Sequence, residues 1–174
     1  NQKVQTTFSK TSGNVTFKVQ YPENITCGMP TTFKLSSEGT TDKVQYALYS
    51  LTTEDGTIVY DTSYGSNGKF FSKDSFDFTF YASGTYYIRF AIMDTGVSPY
   101  VWFNTGLYGI KLVIDDKGYP TVENVVADLK AQCGKTCTTD FEKAVWFNDW
   151  LVENCRYDSS YSYCAPEGAL ARGS

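Results

Sequence analysis

The chain has 174 residues, enough for one large domain or for a domain of about 110 residues with part of a second. Its formal charge is −4, its pI is about 4.8 and it carries no Lys/Arg run, so it lacks the clustered cations that phosphate-backbone binding requires and nucleic acid is not an expected partner. No apolar run approaches a membrane span and no charged-then-apolar leader stands at the front, so a secretory signal or anchor would lie outside these residues.

The aromatic share is 17%, mostly tyrosine and phenylalanine, and threonine and serine are abundant; that bias favours strands. Ser, Thr, Tyr and Asn fill the positions left for solvent, a texture common in extracellular bacterial proteins, and an extracellular or cell-surface location is expected. Residues 1–13 are polar, with Val4 and Phe8 isolated, and read as a lead-in or linker. From Asn14 the period becomes two: Val15, Phe17, Val19 and Tyr21 alternate with Thr16, Lys18 and Gln20 until Pro22 breaks the run. Further strands are predicted over 32–35, 44–49, 57–60, 75–80, 85–93 and 108–114, separated by turns bearing Gly, Asp and Ser. No helical crossover fits between them, so the expected fold over 14–115 is an antiparallel β-sandwich.

Gly28-Met29-Pro30 before Phe33, then Ser83-Gly84-Thr85-Tyr86-Tyr87-Ile88, then Asp94 after Ala91-Ile92-Met93 give this segment its likeness. It resembles the Ig-like or fibronectin-type-III-like modules of bacterial surface proteins, a fold that by itself specifies no activity. Two of its loops stand out. Residues 60–74 are glycine-rich and contain Phe70-Phe71; residues 94–109 contain Tyr100, Trp102 and Phe103. The second set is a candidate platform for stacking carbohydrate or docking protein, because rings offer apolar faces with polar edges. The competing reading places Val101 and Phe103 on a further strand packed into the core. Asp94 and Asp115-Asp116 lack the ligand spacing of a calcium loop and read as solvated turns.

The period changes at 115–120. Thr121 is positioned to cap a helix in which Val122, Val125, Val126 and Leu129 recur at helical spacing, with Gly134 at its end. Thr139 and Glu142 then form a capping box before a second helix over 140–154. Phe141, Ala144, Val145, Phe147, Leu151, Val152 and Cys155 make one broad apolar stripe, expected to be core. Trp146 and Trp150 project from the other side, where a second layer, the sandwich, is expected to cover them.

The cysteines are Cys27, Cys133, Cys137, Cys155 and Cys164. The last four, spaced C-x3-C and C-x8-C, suit two short-range bridges, Cys133–Cys137 and Cys155–Cys164; other pairings, and reduced buried thiols, stay open. Zinc knuckles need C-x-x-C spacing, and no metal or other cofactor is expected. Cys27 reads as a core or strand-end thiol.

Asp149-Trp150-Leu151, Asn154, Tyr157-Asp158, Gly168, Leu170 and Gly173 carry a second likeness. Residues 119–174 resemble the entry to a bacterial transglutaminase-like, papain-like cysteine hydrolase domain: a helix with a D-W-L-x-x-N-x-x-Y-D run, a loop, a small-residue and leucine turn, and a glycine. The resemblance implies that a nucleophilic cysteine follows, with a histidine and an aspartate further on. The chain has no histidine, so no Cys–His pair can form in it and no catalytic residue is assigned. The expectation is an accessory sandwich plus the helical beginning of such a domain, truncated before the cysteine. The chain would be inactive, and its parent would perform acyl transfer or amide hydrolysis on protein, peptide or cell-wall substrates. The alternative is a non-catalytic adhesion or carbohydrate- or protein-binding module, or a degenerate domain that binds without catalysing.

Overall fold

The computed structural model describes residues 5–61, 70–99, 101–106, 109–116, 118–156, 165, 166, 169 and 170, with only the backbone given for Trp102. Among the described residues ten strands precede two helices: β1 (Gln5–Ser12), β2 (Val15–Pro22), β3 (Ile25–Thr26), β4 (Pro30–Glu38), β5 (Val44–Thr53), β6 (Ile58–Asp61), β7 (Ser75–Thr79), β8 (Gly84–Asp94), β9 (Val101–Asn104), β10 (Ile110–Asp115), α1 (Val122–Cys133) and α2 (Asp140–Asn154). One sheet runs β1-β2-β4-β7. The other runs β3-β10-β8-β5-β6, with β9 pairing the far end of β8. Every pairing is antiparallel except β3 with β10. The protein is thus mainly β with a C-terminal α segment.

Alternation produces the core. On β2, Val15, Phe17 and Val19 turn inward; on β10, Ile110, Leu112 and Ile114 do the same, while Lys111 and Val113 face out. Phe33 of β4 meets Phe90 of β8 across the sandwich at 5.2 Å between ring centroids, and Phe78 packs edge-on to Phe80 at 5.0 Å. Each buried ring contributes on the order of 1.5–3 kcal/mol through its removal from water, so the aromatic bias of the composition is spent mainly inside this layer.

Residues 5–12, read above as lead-in, instead form β1, paired along its whole length with β2. As an edge strand with only one neighbour it has little to bury, and Phe8 is its sole large apolar side chain. Its hydrophobic alternation is correspondingly faint. On strand β9, Val101 and Phe103 are half-buried against the core, as the strand reading of the second loop has them, and Phe103 lies edge-on to Phe17 with centroids 6.2 Å apart.

Both helices begin as predicted. Thr121 accepts from the Asn124 amide, and Thr139 accepts from the Glu142 amide while Glu142 reaches back to the amides of Thr138 and Thr139. Those bonds hold the Glu142 carboxyl down at about 2. Gly134 ends α1 but keeps right-handed backbone angles, so the coil runs on through the following turn.

The α2 stripe is where the structure departs from expectation. No α2 residue is buried: Phe141 is 78% and Val152 74% exposed, and Val145 and Leu151 also face solvent. The half-buried side chains are Lys143, Trp146, Phe147, Trp150 and Asn154, nearest the side that was expected to need a separate cover. The stripe expected to be core is therefore mainly solvent-exposed, Phe147 and Cys155 excepted, because period alone does not say what packs against a face.

Ahead of α1, an aromatic anchor joins the sandwich to the helical segment. Tyr119 packs on the core and on Tyr81, centroids 6.4 Å apart. Its ring fills the space where Gly28 has no side chain: a Cβ there would sit 2.5 Å from Tyr119 Cε2, and Gly28 has φ 74°.

Candidate functional site

Three places were singled out by the sequence, and the structure treats each differently. The first is the C-terminal motif. Asp149, Trp150, Leu151 and Asn154 lie on the last turns of α2. Asp149 and Leu151 are exposed, Trp150 is half-buried, and Asn154 Nδ2 donates to the Trp150 carbonyl at 2.8 Å, closing that turn of the helix. Cys155 caps the helix, its amide donating to the Leu151 carbonyl at 2.8 Å. Leu170 is half-buried; Tyr157, Asp158, Gly168 and Gly173 lie outside the described residues. With no imidazole in the chain, neither Cys155 nor any other thiol can form the Cys–His pair on which a papain-like hydrolase depends.

The second is the aromatic loop. Phe103 is half-buried, in contact with Phe17, and Lys10 of β1 lies over its ring while donating to the Asn104 carbonyl at 2.8 Å. Phe103 is thus half-buried against the core; the other two members of the candidate platform, Tyr100 and the Trp102 side chain, lie outside the described residues. In the first loop, Phe71 bonds the Tyr46 backbone in both directions, and Lys73 sits over the rings of Phe71 and Phe76. Residues 62–69 lie outside the described residues.

The third is the cysteines. Cys27 is a buried core thiol, and burial pushes it up, reinforced by Asp116 and Asp115. Cys133, Cys137 and Cys155 are free thiols, and Cys133 adjoins Cys137 where α1 ends. Cys164 lies outside the described residues. Among the described residues no three His, Cys, Asp or Glu side chains converge as metal ligands.

Two features escaped the sequence reading. Asp94 is not a solvated turn residue: it is 1% exposed and accepts from the Thr41 amide (2.7 Å), the Thr41 hydroxyl (2.6 Å) and the Gly96 amide (2.9 Å). The Thr41 hydroxyl and amide, together with Gly96, depress its pKa against the opposing effect of burial. It ties the β4–β5 connection to the end of β8.

The other is a cleft of about 440 Å³ at one end of the sandwich, within the size range of small-ligand sites. Its floor is Val59, Phe78, Phe80 and Tyr86, its rim is Thr53, Glu54, Asp55, Thr57, Thr79, Ser83 and Thr85, and Ala165-Pro166 closes one side. The Tyr86 hydroxyl is already committed to the Ala82 carbonyl at 2.8 Å. Asp55 is bound by the Thr53 hydroxyl and the Thr57 amide, which bring its carboxyl to about 2. The residual polar lining is therefore mainly hydroxyls. The turns 54–57 and 81–84 were each legible as turns; their meeting at one end of the molecule was not.

Comparison with family models, with characterised proteins and with solved structures finds no match to this chain. Among the described residues no helix is long and apolar enough to cross a membrane.

Proposed function

We propose that this chain is the accessory sandwich and leading helices of a transglutaminase-like cysteine enzyme of the bacterial cell surface, acting on protein, peptide or cell-wall material, and that these residues alone turn over no substrate. The reading rests on the uncovered face of α2. A firmly capped helix of 15 residues keeps Phe141, Val145, Leu151 and Val152 in water, although burying each would be worth about 1.5–3 kcal/mol. A face of that kind serves a further layer of structure. The resemblance of the D-W-L-x-x-N run on the same helix supports a particular layer: the remainder of a cysteine-hydrolase half-fold, which would bring the nucleophile and the histidine that this chain lacks.

The test compares this chain with a version extended past Ser174 by whatever its gene encodes next. We expect the present chain to bind anilinonaphthalene sulfonate through α2 and to leave amine and peptide substrates untouched. The extension should abolish dye binding and bring thiol-dependent activity. A stop codon after Ser174, or an extended protein with no thiol-dependent activity, overturns the proposal.

The cleft supports a second reading, a non-catalytic binding module. An apolar floor ringed by threonine and serine hydroxyls suits a ligand with one apolar face, such as a glycan or a short peptide. Titration with cell-wall saccharides and peptides should then shift the amide resonances of Thr57, Ser83 and Gly84; unchanged spectra exclude it.

A further inference from the structure

The end of α1 holds an arrangement that neither reading uses. Cys133 is the last residue of the helix, and the coil does not unwind behind it. The Gly134 amide donates to the Lys130 carbonyl (3.0 Å), Lys135 to Gln132 (3.1 Å), Thr136 to Cys133 (3.1 Å), and Cys137 to Cys133 (2.9 Å). That last bond closes one helical turn, and residues four apart on such a turn present their side chains on the same side, about 5–6 Å apart at Cβ. The two thiols are accordingly neighbours on one face of that turn, and Cys137 acts on the Cys133 thiol. Their exposures differ: Cys133 is 2% exposed, whereas Cys137 is open to solvent on one side. Burial pushes the Cys133 thiol up, Cys137 beside it adds to the effect, and the Lys143 ammonium on the first turn of α2 acts the other way.

We propose that Cys133 and Cys137 are a reversible dithiol site that exchanges with low-molecular-weight disulfides and, when oxidised, cross-links the turn between α1 and α2. The asymmetry of exposure sets the order of events. The Cys137 thiolate attacks one sulfur of the small disulfide RSSR, releasing one RS⁻ and leaving Cys137–S–S–R. Cys133 then loses its proton and its sulfur attacks the Cys137 sulfur, releasing the second RS⁻. Two protein thiols and one RSSR become one protein disulfide and two RSH once the released thiolates take up the two protons. The two electrons pass from the cysteines to the small disulfide. The bridge needs Cβ atoms about 3.5–4.5 Å apart, so the turn must tighten by roughly an ångström, a movement available to residues 134–136 because they lie outside both helices and are exposed. The consequence is local: the crossing of the two helices is set by a covalent clip in an oxidising compartment and by hydrogen bonds alone in a reducing one. The site does not depend on a transglutaminase-like parent.

Lys135 lies between the two cysteines, which makes the test direct. The folded chain is equilibrated with reduced and oxidised glutathione, quenched by alkylation and digested with trypsin, which separates peptide 131–135 from peptide 136–143. In oxidised glutathione these two peptides should emerge joined, should separate on reduction, and the ratio of joined to separate peptides should rise in proportion to oxidised glutathione and fall with the square of reduced glutathione. In the Cys133→Ser variant, Cys137 should accumulate as the glutathione adduct. In Cys137→Ser, Cys133 should be alkylated at least tenfold more slowly than Cys137 is in the Cys133→Ser protein. The proposal is overturned if the two peptides stay separate in oxidised glutathione, if either cysteine is found bridged chiefly to Cys27, Cys155 or Cys164, or if the wild-type protein halts at the Cys137 adduct.

Discussion

The sandwich and the helical segment are made from similar residues and hold together in opposite ways. In the sandwich, Phe17, Phe33, Phe90, Ile88 and Ile92 have lost all contact with water, and both sheets contribute to one aromatic core. In α2 the regularity is supplied by its own first turn, by Thr139 and Glu142, and Phe141, Val145, Leu151 and Val152 remain in solvent. The first region is defined by what its side chains bury and the second by what its backbone ends bond. Sequence pattern alone therefore does not say which side chains carry stability: Phe33 and Phe141 both sit in well-formed apolar patterns, and only one has neighbours on all sides.

The widest contrast is between those two phenylalanines. Phe33→Ala should destabilise the fold by about 3–5 kcal/mol through lost burial and a cavity beside Phe90, measured by urea denaturation. Phe141→Ala should stay within about 0.5 kcal/mol in the same experiment. Equal effects would erase the distinction drawn here. Next comes Asp94→Ala, which leaves the Thr41 amide and hydroxyl and the Gly96 amide without their acceptor and should cost about 2–3 kcal/mol at pH 7. Because the folded pKa lies below the ordinary carboxyl value, the ionised group's contribution is complete above about pH 4 and is lost as pH falls through the folded value. The gap between wild type and Asp94→Asn should narrow over that acid range, read from denaturation midpoints at stepped pH.

Gly28→Ala should cost about 1–2 kcal/mol for the left-handed backbone alone. It should also displace Tyr119, detected as a changed environment for the Tyr119 and Tyr81 ring protons. The smallest effect belongs to the helix start. Thr139→Ala should remove about 1 kcal/mol from α2, visible as faster amide exchange across 140–145 with no change in sandwich unfolding. In wild type the Glu142 half of that cap is present above the ordinary glutamate range and is lost as pH falls through about 2.

Much of this architecture was legible from the residues. Strands β2, β4, β5, β6, β7, β8 and β10 lie where alternation and turn residues place them, and α2 spans the predicted 140–154 because its cap and its period agree. What escaped had weak local signals or distant causes. Strand β1 alternates only faintly because an edge strand has one neighbour, and β3 is two residues held by parallel pairing to β10. The role of Asp94 depends on Thr41, 53 positions away. The cleft depends on two turns far apart in the chain. Periodicity gave the apolar side of α2, but what lies against a face is a tertiary fact, and so the motif Asp149, Trp150, Leu151 and Asn154 could be placed on a helix without its surroundings being foreseen.

Tyr119 seated against Gly28 has a mechanical meaning. A short polar linker would let whatever follows swing freely, whereas a ring wedged into a notch beside β3 and the end of β10 works as a bracket. Torque applied to α1 is delivered to that corner of the β-layer, and the helices keep the heading the corner gives them.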